Sequence, residues 1–118
     1  KIIMEAEGGK TLEIQAYSIG GGRIRVSKLD GLDVSFSGET NTLIIRNEDR
    51  PGCITHISTV LSLCQINIAT MQVFRSKRGG VAVQVVEVDQ AVPQSALEML
   101  EKKDGILKVT FLNVSEKE

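Results

Sequence analysis

The chain has no tryptophan, one tyrosine and three phenylalanines, so aromatics make up only 3% of its 118 residues. A single-strand nucleic-acid binder stacks bases on aromatic rings beside a basic stripe. That stripe is missing too: fourteen Lys and Arg are balanced by fifteen Asp and Glu, for a formal charge of −1. No apolar run approaches the roughly 20 residues that a membrane-crossing helix needs, and no charged-then-apolar leader is visible at Lys1. The expectation is a soluble, cytoplasmic chain, with the start at Lys1 reading as a segment of a longer protein. Cysteine occurs only at Cys53 and Cys64, and histidine only at His56. On one helix those cysteines would stand roughly 16 Å apart, too far for a disulfide, so both are expected reduced. No side chain is paired with an orienting partner as a nucleophile or general base would be. Proline appears twice, and glycine clusters at a few points.

What is present is punctuated regularly from Thr42 onward. Apolar periodicity predicts a strand over Thr42–Arg46, a helix over Pro51–Gln65, strands over Ile66–Arg75 and Val81–Val88, a helix over Pro93–Lys103 and a strand over Ile106–Val114. Lys77-Arg78-Gly79-Gly80 marks a hairpin, and Gly105 a left-handed stop after the second helix. The order is βαββαβ, a ferredoxin-like α+β arrangement with two helices on one face of an antiparallel sheet. Its other sheet face is left for water or a partner. In the second strand Ile66 and Ile68 keep one phase while Met71 and Val73 keep the other. Either a bulge near Ala69-Thr70 or burial of both sheet faces by dimerisation accounts for the change.

Residues 1–40 differ in being rich in glycine and poor in long apolar runs. Lys10–Tyr17, Arg23–Ser27 and Leu32–Phe36 read as short strands, the last two joined by an Asp30-Gly31 turn. So few strands do not make an independent core. The segment is expected to be a β-hairpin appendage, the end of a larger domain packed on residues 41–118.

The most informative stretch is Asn47-Glu48-Asp49-Arg50-Pro51-Gly52, a strand-to-helix turn, together with Ile66-Asn67-Ile68-Ala69. Pro51 suits the first helical position, and Gly52 lets a ligand approach the backbone. Free amides of the first helical turn, around Cys53, favour a carboxylate. Asp49 beside them suits an ammonium group, so the turn offers a partner for each charge of a free α-amino acid. Blander roles stand beside these. Asp49 would cap the helix, Asn67 would satisfy nearby backbone, and Cys53 would be a packed thiol. Gly20, Gly21 and Gly22 form either an anion nest or a crowded turn. Three other uses of this topology find little support. A phosphate-hydrolysing site would use Arg50 and Asn67, but Arg50 precedes a proline and is expected to point to solvent. A metal carrier needs a Cys-x-x-Cys that is absent, and an RNA-recognition module needs paired aromatics where Phe74 stands alone.

With these residues in view, Thr42–Val114 resembles an ACT domain, the amino-acid-sensing module of metabolic enzymes. The resemblance rests on the Asp49-Arg50-Pro51-Gly52 turn, the Ile66–Ala69 strand and the Gly79-Gly80 hairpin, in order and at the family's spacing. Ser18-Ile19-Gly20-Gly21-Gly22 and Phe36-Ser37-Gly38 resemble the end of the allosteric substrate-binding domain that precedes an ACT domain. Two families have that arrangement: the beta chain of iron–sulfur-dependent bacterial L-serine dehydratase and the regulatory end of D-3-phosphoglycerate dehydrogenase. Ser18–Gly22 and Val73-Phe74-Arg75 are more similar to the former.

The resemblance implies a regulatory or assembly subunit of an enzyme that converts L-serine to pyruvate and ammonia. Its [4Fe–4S] cluster would sit on a catalytic alpha chain, because such a cluster needs more thiolates than Cys53 and Cys64 supply. It further implies a homodimer holding an amino acid such as L-serine between two ACT modules. Asn47, Asp49, Pro51, Gly52 and Cys53 would form one side, and Asn67 of the neighbour the other. A histidine is common at the position of Asn47, where this chain has a neutral amide.

Overall fold

A computed structural model describes residues 2–5, 11–20, 23–37, 40–75 and 80–112. The chain forms β1 (Ile2–Glu5), β2 (Thr11–Gly20), β3 (Arg23–Leu29), β4 (Leu32–Phe36), β5 (Asn41–Glu48), α1 (Cys53–Leu63), β6 (Ile68–Arg75), β7 (Val81–Val88), α2 (Gln94–Glu101) and β8 (Ile106–Leu112). Strands β1 to β4 make one antiparallel sheet in chain order, and the others a second in the order β6-β7-β5-β8. The second sheet with its two helices is the expected ferredoxin-like unit. The expected hairpin is β3–β4, turned by Asp30 and Gly31, both at positive φ (48° and 84°) as a two-residue hairpin requires. It belongs to a larger sheet than anticipated, because β1 pairs Ile2 to Glu5 against Ile14 to Thr11.

The central strands β5 and β7 of the second sheet are buried on both faces, which explains why they lack polar alternation. Leu43, Ile45, Val86 and Val88 pack with Ile57, Val60 and Leu61 of α1 and Ala96, Leu97 and Leu100 of α2. On the opposite face Ile44, Val83, Val85 and Leu112 pack against Ile14, Val26, Leu29, Val34 and Phe36 of the first sheet. The face expected to await water or a partner is thus covered by residues of the same chain. The first sheet needs that contact to bury its apolar face, as does the apolar back of β5 and β7. Asp30 at the hairpin tip lies 3.8 Å from Arg46 and 3.7 Å from Lys108, joining the sheets by charge as well.

The change of phase in β6 has a local cause. Its register against β7 slips between Ile68 and Thr70, so one extra residue lets Ile68 and Met71 both lean on the helical core. On α1 the buried stripe is Cys53, Ile57, Val60 and Leu61, and Ile54 is 51% exposed. Helix α1 starts after Gly52, not at Pro51: Gly52 has φ 96°, outside the helical region, so the Pro-Gly pair forms a tight turn and the first helical residue is Cys53. Pro93 likewise precedes α2 with extended backbone. Lys77, Arg78, Gly79 and Val114 lie outside the described residues. Among the described residues no helix is long and apolar enough to cross a membrane.

Gly105 closes the turn after α2 at φ 101°, and a Cβ there would come within 2.6 Å of the Arg50 guanidinium. Gly105→Ala is therefore expected to cost about 1–2 kcal/mol in backbone strain and to displace Arg50. Urea denaturation measures this, and an unchanged midpoint would refute it.

Candidate functional site

At the end of β5 the chain turns sharply, and neighbouring backbone holds the turn. Glu48 N donates to Gly105 O at 2.8 Å, Asp49 N to Gly80 O at 2.6 Å, and Arg50 N to Glu48 O at 2.9 Å. The turn delivers the chain to α1, whose N-terminus carries no side-chain cap and no acidic residue in its first turn. Asp49 is therefore not the helix cap that the sequence left open. Its carboxylate instead reaches Arg75 Nε at 3.2 Å across the end of β6. Beside this turn is an open pocket of about 600 Å³, bordered by Asn47, Asp49, Pro51, Cys53, Val73 and Gln84 among others.

Two amide side chains at the pocket border are buried. Asn47 is 2% exposed and Gln84 1% exposed. Asn47 Nδ2 donates to Glu48 O at 2.7 Å, and Gln84 Nε2 donates to Asn47 Oδ1 at 3.1 Å. Cys53, also buried, points its thiol at Glu48 O at 3.8 Å. It is a packed weak donor on the pocket border. Gly52 adds backbone freedom more than space: a Cβ there would approach only Lys103 Cε, at 3.9 Å.

Arg50 leans over Gly105 and pairs with Asp104 at 3.1 Å and Glu48 at 3.5 Å. The hydrogen bond to Asp104 raises its pKa further above the usual arginine range. Its charge is engaged by two carboxylates, which leaves it a poor phosphate grip.

Asn67 is not brought to this pocket. It stands at the other end of β6, where its Nδ2 donates to Asp89 Oδ2 at 2.8 Å and its backbone N–H to Gln90 Oε1 at 2.9 Å. Asn47 lies opposite Ala82 and Ile68 opposite Val88, so the two ends of β7 separate the sites by roughly 20 Å at about 3.4 Å per residue. Of the glycine cluster, Gly20 is described, with φ 97° and its N–H directed to Ser18 Oγ at 3.4 Å. Gly21 and Gly22 lie outside the described residues. His56 is not among the residues that border the pocket; its Nε2 lies within 3.2 Å of Met99 O and 3.3 Å of Leu100 O at the end of α2.

Among the pocket residues that sequence reasoning missed, Gln84 and Arg75 are polar, and Ile54, Val73 and Ala82 apolar. A signal for Gln84 was available: it is the one uncharged polar residue in the apolar run Val81–Val88. Arg75 offered none, since an arginine at a strand end is ordinary.

Strands β5 to β8 and the two helices thus make a ferredoxin-like unit with an open pocket at its first strand-to-helix turn. The family model for the ACT domain matches residues 41–105, the second sheet with its helices, and the chain belongs to the ACT domain family. Its similarity to whole proteins goes further, into the first sheet. It is 34% identical over 110 residues to the probable L-serine dehydratase beta chain of Bacillus subtilis (strain 168), covering 93% of this chain and 50% of that protein. The L-serine dehydratase beta chain of Peptoniphilus asaccharolyticus is 25% identical over 95 residues, 80% of this chain and 43% of its own length. D-3-phosphoglycerate dehydrogenase of Methanocaldococcus jannaschii is 36% identical over 89 residues, 75% of this chain and 17% of that enzyme. The chain thus spans about half the length of the beta chains and a smaller share of the dehydrogenase.

Proposed function

We propose that this chain is a regulatory part of an L-serine dehydratase beta subunit, and that its ACT domain binds L-serine or a related small amino acid between two copies. The observation that carries the reading is the similarity to a dehydratase beta chain over 93% of the chain, both sheets included. The pocket chemistry supports an amino-acid ligand. Uncapped amides at the start of α1 suit a carboxylate, and Asp49 suits an ammonium. Its oxygens retain acceptor capacity beside Arg75, since a carboxylate accepts about four hydrogen bonds.

The edge of the sheet supports dimerisation. Among the described residues strand β6 pairs on one side only, with β7, and it carries Val73 at 41% exposure near exposed Ile54 on the pocket border. An unpaired edge with apolar neighbours is a ready template for a second strand. Antiparallel pairing of β6 with its copy sets the Asn67 end of one chain against the Arg75 end of the other. Asn67 thereby joins Asp49 of the neighbouring pocket.

In this reading the chain is itself non-catalytic and docks on a catalytic alpha chain that carries the [4Fe–4S] cluster. The cluster does not fit the residues here: the Cys53 thiol is buried against Glu48 O, and Cys64 stands at the opposite end of α1. A second reading, a structural module that binds nothing small, draws on Asp49 and Asn67 already having partners in Arg75 and Asp89.

Thermal unfolding of the chain at rising L-serine separates the two. A ligand at about 100 times its dissociation constant adds roughly 2.7 kcal/mol, a shift of several degrees. The shift is expected with L-serine, smaller with D-serine or glycine, and absent in Asp49→Ala and Asn67→Ala. Wild-type shifts in both variants would remove the pocket assignment, and no shift with any amino acid would favour the structural module.

A further inference from the structure

We propose that Arg75 is a tethered competitor for the ligand's ammonium group: it pairs with the carboxylate that the ammonium needs, and releases it when an amino acid binds. This rests on the amino-acid pocket proposed above. The placement comes from strand register. Arg75 stands opposite Ala82 on β7, and Ala82 opposite Asn47 on β5. Directly opposed residues of antiparallel strands share a sheet face, so Arg75, Ala82 and Asn47 form one row, and all three border the pocket. The middle residue carries only a methyl group. The long arginine side chain leans over it toward Asp49, one residue past the end of β5, where Nε lies 3.2 Å from Oδ2.

An ammonium group contests this pair directly. Asp49 is the one carboxylate among the described residues that border the pocket. It keeps lone pairs for further donors, but its single negative charge is already matched by Arg75. A second cation on the same carboxylate meets the first as a like charge a few ångströms away, so what one pairing gains is offset at the other. Arg50 is in a different position. Its two carboxylate partners, Glu48 and Asp104, lie off the pocket border, and ligand entry leaves them paired.

Which group gives way follows from how each is held. Asp49 N donates to Gly80 O at 2.6 Å, which ties its backbone to the turn, and its side chain is 32% exposed. The Arg75 side chain is 72% exposed and already largely hydrated, so it loses little on swinging into water. Ligand affinity is then the difference between two pairings of one carboxylate. Exposed ion pairs are weak, so the competition tunes affinity a few-fold and does not shut the site.

Isothermal titration with L-serine on the wild-type chain, Arg75→Gln and Arg75→Lys tests this. Both substitutions fall on an exposed side chain and are expected to leave the fold intact. Arg75→Gln, which removes the charge, is expected to bind about 2–5-fold more tightly than wild type. Arg75→Lys, which keeps a cation at the strand end, is expected to stay near the wild-type affinity. In the wild-type chain, saturation with L-serine should also move the nitrogen chemical shift of Arg75 Nε as the guanidinium leaves Asp49. Equal or weaker binding by Arg75→Gln overturns the competitor and leaves the amino-acid pocket standing. So does an Nε shift that stays put at saturation, or an Arg75→Lys chain that tightens as much as Arg75→Gln. Binding by neither the wild-type chain nor Arg75→Gln overturns both this inference and the pocket on which it rests.

Discussion

Replacing Phe36 with alanine is expected to destabilise the whole chain by about 3–5 kcal/mol, the usual cost of removing a buried phenylalanine. Phe36 lies outside the ACT match, which begins at residue 41. Its ring is nevertheless 2% exposed, in the cluster that joins β2, β3 and β4 to Ile44, Val83, Val85 and Leu112 of the ACT sheet. Alanine would leave a cavity between two sheets that each depend on the other for burial. The effect should appear as one cooperative transition moved to lower urea, with the slope retained. Tyr17, exposed on β2, is the contrast: Tyr17→Ala should change stability by no more than about 0.5 kcal/mol. Two separate transitions in Phe36→Ala, with the ACT unit keeping its wild-type midpoint, would mean that the sheets fold as independent units.

Asn47→Ala is expected to cost about 1–3 kcal/mol and to abolish the L-serine shift. The loss is larger than one exposed hydrogen bond because the Gln84 amide depends on it. Asn47 Oδ1 is the partner of Gln84 Nε2, so alanine strands a buried donor next to an acceptor that already lacks a partner. Glu48 O is less affected, since Arg50 N still donates to it at 2.9 Å. Chemical denaturation and calorimetry on the same sample report the two losses. Full ligand response in a destabilised Asn47→Ala would assign the residue to the fold alone.

Much of the second sheet was legible in the sequence because its signals are local. The Val81–Val88 strand has the expected bounds, and the Ala69-Thr70 region holds a bulge, one of the two accounts open for the change of apolar phase. Gly105 stops at positive φ where a left-handed closure was expected, and Asp30-Gly31 turns its hairpin. Each is decided by a few adjacent residues through periodicity or backbone sterics. The helix starts were misplaced by residues for an equally local reason: Pro51 and Pro93 are good first helical residues in isolation, yet Gly52 at φ 96° and the extended Pro93 put both outside their helices.

By itself, then, the sequence determined the βαββαβ order, the turn that carries Asn47, Asp49 and Gly52, and through them membership of the ACT family. Only the tertiary structure decided which residues those polar groups meet. It placed Arg75 on Asp49, laid the first sheet over the face expected to be open, kept Asn67 at the far end of β6, and paired Asn47 with Gln84, whose other amide atom is buried without a partner among the described residues. These contacts join residues far apart along the chain. Periodicity reports which face of an element is apolar, but not which other element will cover it, and a buried polar atom is left without a partner only once every neighbour has been placed.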